Sequence, residues 1–157
     1  MFTKIKYPAY KYIKAFKEIT MYSNKYVLEL IKDGINEEPM VSRFYADLAN
    51  SVRDIDDKKM LEEMSLDEKK HYEMLSDIYT KLTNEKYMPK EIDMPQIDKD
   101  FVKHIVNSIK AELNTVEAYR PILFALENQQ FKNFMMEIIS DEQNHAAKLN
   151  YMYSKYR

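Results

Sequence analysis

Residues 65–75 read SLDEKKHYEML and residues 139–149 read ISDEQNHAAKL. In each, a glutamate stands three residues before a histidine: Glu68 before His71, and Glu142 before His145. Stepping outward by threes and fours from the first pair gives Leu61, Met64, Glu68, His71, Leu75, Ile78 and Leu82; from the second it gives Met135, Ile138, Glu142, His145, Leu149, Met152 and Tyr156. That spacing marks one buried face of an α-helix, interrupted at the same two steps in both. The same reading gives Glu38, Val41, Tyr45, Leu48 and Val52 upstream of the first pair, and Glu112, Thr115, Tyr119, Ile122 and Leu126 upstream of the second. Each of these faces carries one glutamate.

These are two copies of one unit. Glu38 and Glu112, Tyr45 and Tyr119, Glu68 and Glu142, and His71 and His145 all stand 74 residues apart (112 − 38, 142 − 68), as do Asp67 and Asp141. Two helical hairpins related in this way pack about a pseudo-two-fold axis. Helices are expected over about 24 to 53, 56 to 83, 98 to 127 and 130 to 156. Asn24 and Asp98 are candidate N-caps, and Asp54 and Asn128 mark the short turns of the hairpins. The segment NEKYMPKEIDMPQID between the hairpins carries two prolines, and about 14 residues at ~3.3 Å each can run the length of a bundle as a long crossover. Pro39 and Pro121 are expected to kink or break the first and third helices, and Gly34 weakens the first further, so a separate short helix ending near Gly34 is an alternative.

Composition agrees with one all-α domain. The chain has 157 residues, 45% hydrophobic, with one glycine and five prolines. The four-helix bundle is assigned to residues 24–156, and residues 1–23 to an N-terminal extension in which Ile13, Phe16 and Ile19 allow a short helix. The net charge of -2 gives no footprint for nucleic acid. No apolar run is long enough for a membrane span and the first residues lack a signal-peptide core, so a cytoplasmic location is expected. Zero cysteines exclude thiolate metal sites within the chain and leave carboxylate and imidazole as ligands.

Four carboxylates in a bundle core carry about four negative charges, and each desolvated ion costs several kcal/mol unless compensated. No lysine or arginine occupies these faces. Two divalent cations balance four glutamates, with two imidazoles completing the shells. The alternative is a metal-free core of protonated, mutually hydrogen-bonded glutamates.

The segments EPMVSRFYADLA (38–49), SLDEKKHYEML, ELNTVEAY (112–119) and ISDEQNHAAKL resemble the ferritin-like di-iron carboxylate superfamily, in its rubrerythrin and bacterioferritin pattern. The resemblance implies two metal ions per chain: iron first, with manganese or zinc as alternatives. It implies Glu68 and Glu142 as bridging ligands, Glu38 and His71 terminal on one metal, and Glu112 and His145 terminal on the other. It also implies that Asp67 accepts the free N–H of His145 and Asp141 that of His71, with surface acids as the plain alternative. Tyr45 and Tyr119 resemble tyrosines that hydrogen-bond near the metals, and plain core aromatics would look the same. The implied activity is an oxidoreductase reacting with O2 or peroxide and served by an external electron donor. The alternatives are a ferroxidase of an iron-storage assembly and a non-catalytic coat or scaffold protein; homodimer and larger oligomer both stay open. Two departures stand out: Thr115 where rubrerythrins usually carry a further glutamate, and no rubredoxin-type cysteines. Glu117 does not replace the missing glutamate, because five residues rotate it about 140° from Glu112. His104 belongs to no pair and is read as structural or exposed.

Overall fold

The computed structural model describes residues 9–91, 93, 97 and 100–157, with side chains from residue 24 onward. It contains four helices: α1 (Ala9–Ser51), α2 (Ile55–Thr83), α3 (Phe101–Ala125) and α4 (Gln129–Tyr156), with no strand among the described residues. α1 packs along α2 and α3 along α4, and the two hairpins meet through α1 with α3 and α2 with α4. This is the expected all-α four-helix bundle.

The turns form where side chains replace missing helical partners. Asp54 accepts from the N–H groups of Asp56 and Asp57 at 3.1 Å, and Asn128 accepts from that of Phe131 at 3.1 Å. α2 ends at Asn84, held at φ 57, a conformation asparagine tolerates. The crossover then returns over α1, where Lys90 N–H donates to Asn36 at 2.8 Å and Asn36 donates to the Tyr87 hydroxyl at 3.2 Å.

Three boundary expectations change. α1 does not begin near Asn24, which is an exposed residue within it; the helix starts at Ala9 and runs 43 residues. Between residues 9 and 33 there is no glycine or proline, and serine and asparagine cost only tenths of a kcal/mol in a helix, so nothing stops it. Residues 1–8 and the candidate cap Asp98 lie outside the described residues, and α3 is capped by Asp100, which accepts from Lys103 N–H at 3.0 Å. Pro39 and Pro121 lie inside continuous helices, so neither breaks its helix and no short helix ends at Gly34. Each proline removes one backbone donor, a loss the tertiary packing absorbs.

The core forms two apolar clusters. One gathers Ile31, Ile35, Leu75, Ile78, Ile122 and Met135; the other gathers Leu48, Leu61, Met64, Ile105, Leu149 and Met152. On every helix the predicted ligands fall between the two sets, so a polar layer is sandwiched in the middle of the bundle. The α2 face ends before Leu82, which is exposed.

Candidate metal centre

All six predicted ligands converge in that layer, and none is more than 3% exposed. α1 supplies Glu38, α2 Glu68 and His71, α3 Glu112, and α4 Glu142 and His145. They form two overlapping groups: Glu38, Glu68, His71 and Glu142, and then Glu68, Glu112, Glu142 and His145, each with one ligand atom per residue within 4.8 Å of the others. Glu68 and Glu142 are common to both. The two glutamates expected to bridge are therefore the two that the geometry shares.

The histidines present Nδ1 to the centre. His71 Nδ1 lies 2.9 Å from Glu68 Oε2 and 3.1 Å from Glu142 Oε1, and His145 Nδ1 lies 3.1 Å from Glu68 Oε1. Their outer nitrogens meet the aspartates of the opposite hairpin: His145 Nε2 is 3.1 Å from Asp67, and His71 Nε2 is 3.4 Å from Asp141. An Nε2–H donating outward fixes the tautomer that leaves Nδ1 free to ligate.

The tyrosines cross the bundle in the same exchanged way. The Tyr45 hydroxyl on α1 donates to Glu112 on α3, and the Tyr119 hydroxyl on α3 donates to Glu38 on α1. Each holds one oxygen of a carboxylate and leaves the other to face the centre. Burial, reinforced by the neighbouring glutamates, raises both phenols well above their usual range, so both stay protonated donors.

The electrostatics are those of a buried acidic layer that holds protons. Burial, with the charges of Glu68 and Glu142 added, raises Glu38 well above the usual carboxylate range. Burial likewise lifts Glu112 to about 8, even against the pull of His145. Glu142 is lowered, because hydrogen bonds from Glu112 and the two histidines outweigh its burial. Burial pushes His71 down, yet the close carboxylates of Glu142 and Glu68 overcome it and bring it to about 10; His145 is raised by the close carboxylates of Glu112, Glu142 and Glu68. Among the described residues, Glu68, Glu112 and Glu142 form ion pairs with these two imidazoles.

Protons do not complete the site. Glu68 Oε1, Glu142 Oε1 and His145 Nδ1 are buried with no hydrogen-bond partner; His145 Nδ1 and Glu68 Oε1, like His71 Nδ1 and Glu142 Oε1, are close but not aligned as donor and acceptor. Orphaned buried polar atoms cost about 1–3 kcal/mol each. Here all three face the shared centre, which fits a pair of metal ions held by oxygen and imidazole nitrogen.

Two features escape the sequence reading. A Cβ on Gly34 would lie 2.5 Å from the Tyr119 hydroxyl oxygen and 2.7 Å from Leu75, so glycine is what lets Tyr119 reach Glu38. His104, read as structural or exposed, is buried with its ring 5.8 Å from that of Phe44, and both line a cleft of about 210 Å³ between α1 and α3 that reaches Glu38, Glu68, Glu112 and Glu142. The only sequence signal for the cleft is where the second copy of the unit departs from the first. Thr115 lies in the cleft wall and Glu117 is exposed, away from the centre.

Among the described residues no helix is long and apolar enough to cross a membrane. Residues 3–79 match the Rubrerythrin family model, a span containing Glu38, Glu68 and His71. The chain is 27% identical over 117 residues to the uncharacterized protein YhjR of Bacillus subtilis, covering 74% of this chain and 79% of that one. A hypothetical protein from Pyrococcus furiosus has the same fold, with a TM-score of 0.70, 23% identity, and coverage of 82% of this chain and 88% of that chain. The four-helix bundle and the match across its first hairpin agree with the resemblance read from the sequence, the similarity to the Rubrerythrin family running over residues 3–79, just under half of the chain.

Proposed function

We propose that the chain is a dinuclear metal redox protein that binds two metal ions, a di-iron or iron-manganese pair, and reduces peroxide or O2 with electrons from an external donor. The observation that supports it best is the pair of ligand groups sharing Glu68 and Glu142, beside a cleft through which a small oxidant reaches the carboxylates. A pair of metals of variable valence, held by these ligands, would supply the two electrons that peroxide needs to become two waters. The chain's own residues do the rest. Tyr45 and Tyr119 keep the terminal carboxylates aimed inward, Asp67 and Asp141 keep the imidazoles in one tautomer, and the flanking apolar clusters keep bulk water out.

Anaerobic Fe(II) titration should saturate at about two ions per chain, because a single ion leaves buried carboxylates uncompensated. Stopped-flow mixing of the loaded, reduced protein with peroxide should then consume about one peroxide per centre and stop, resuming only with a donor system, since the chain has no cysteine to hold an electron relay. Glu142→Ala should abolish both phases. Oxidation of excess Fe(II) into a retained mineral would favour a ferroxidase and storage role, and inertness to both would favour a structural one.

A further inference from the structure

The cleft is built where the two halves of the chain cease to match. By the 74-residue offset, Ser108 corresponds to Gly34, His104 to Leu30, Ala111 to Glu37 and Phe44 to Ala118. On the Gly34 side there is no room even for a methyl group beside Tyr119. On the Ser108 side a space of about 210 Å³ opens, mostly apolar, walled by Val41 and Phe44 of α1 and by His104, Ser108 and Ala111 of α3, with Glu112 at its floor. An apolar cavity of roughly 150 Å³ accommodates benzene, so this volume suits one aromatic ring with small substituents. It far exceeds what peroxide or O2 requires. The rings of Phe44 and His104 offer aromatic contact, and Ser108 and Asn107 offer polar atoms for a hydroxyl.

We propose that this cleft binds a single-ring hydroquinone, which serves as the reductant of the neighbouring centre. The inference rests on the redox reading above and supplies the donor that reading leaves open. The balance is simple. Hydroquinone breaks its two O–H bonds and gives up two electrons and two protons to become benzoquinone. Peroxide takes up two electrons and two protons, its O–O bond breaks, and two waters result. With the ring against Glu112, electrons have only the ligand shell to cross, so no separate relay is needed.

The test begins with binding, measured by calorimetry on the full chain stripped by chelator and on the same chain loaded with redox-inert Zn(II). Hydroquinone should bind saturably at one per chain. Ala111→Phe should weaken this about tenfold or more by occupying the ring's place. Ala111 is exposed on the cleft wall, so the added ring stays out of the core, and circular dichroism with zinc content checks the fold; Ser108→Val is the second variant. In the iron-loaded, oxidised protein, hydroquinone should re-reduce the wild-type centre with one quinone formed per centre, and Ala111→Phe should slow this by a like factor. Dithionite should reduce both proteins equally. Absence of hydroquinone binding, or binding and reduction unchanged in Ala111→Phe, overturns the proposal. Dithionite-reduced protein that ignores peroxide overturns the redox reading instead, and the binding arm still decides what the cleft accepts.

Discussion

Asp67 and Asp141 stand one residue before the shared glutamates, and about 100° of helical rotation carries each across to the histidine of the other hairpin. Metal-ligating imidazoles lose roughly 10- to 100-fold in metal affinity when such a partner is removed. Asp141→Ala should therefore loosen the metal at His71, and Asp67→Ala the one at His145, with all six ligands still present; competition with a chromophoric chelator checks it, and unchanged affinity would reduce both aspartates to surface acids. At Gly34 the effect should fall on packing. Gly34→Ala drives a methyl group into Tyr119 and Leu75, an overpacking that costs about 1–3 kcal/mol in chemical denaturation, whereas Ser108→Ala at the matching position should be near neutral. The convergence of these six residues was legible beforehand because Glu and His at a helical spacing, repeated at one offset, are chemically conspicuous. Gly34 was not, since what requires it is a side chain on another helix.

At the scale of elements, the hairpin turns were legible and the start of α1 was not, for one physical reason. Asp54 and Asn128 follow the end of an apolar series and accept from N–H groups that have no other partner, so the local sequence decides. Asn24 has the same residue type but sits where helical propensity runs on unbroken, and there the cap signal is empty. The α2 start also receives the end of α4: Asp57, buried, accepts from the Tyr156 hydroxyl at 2.6 Å and pairs with Lys155 at 2.9 Å, while Asp54 pairs with Lys155 at 2.7 Å. Tyr156 also packs edge-on against Phe101, 5.0 Å between centroids, so this cluster ties α2, α3 and α4 at one end. Asp57→Ala strands the Tyr156 hydroxyl and half of the Lys155 pairing, and should cost about 1–3 kcal/mol with early hydrogen exchange over the last turns of α4. Protection equal to wild type there would show that apolar packing alone holds the terminus.

Across the whole molecule, the proposed metals and the protons would compete for one polar layer, which would tie the stability of the bundle to pH in opposite senses with and without metal. In the metal-free protein, Glu112 moves from 4.5 to about 8 and His71 from 6.5 to about 10 on folding. Both shifts are upward, so the folded state holds protons that the unfolded chain has released. Their contribution is fully present below pH 4.5 for Glu112 and below 6.5 for His71, and it is lost as pH rises through about 8 and about 10. The metal-free protein should lose at most about 1.4 kcal/mol per pH unit for each such group across those windows. Metal reverses the sign, since ligation needs Glu38, Glu112, His71 and His145 without their protons, and affinity therefore rises with pH as those protons are released. Thermal unfolding between pH 6 and pH 9 should show the chelator-treated protein weakening while the Zn(II)-loaded protein holds or gains, the gap between them growing with pH. A metal-free melting temperature that is flat over this range would mean that the buried carboxylates do not hold protons in the metals' place, and a gap that narrows with pH would mean that the metal is not bound through these ligands.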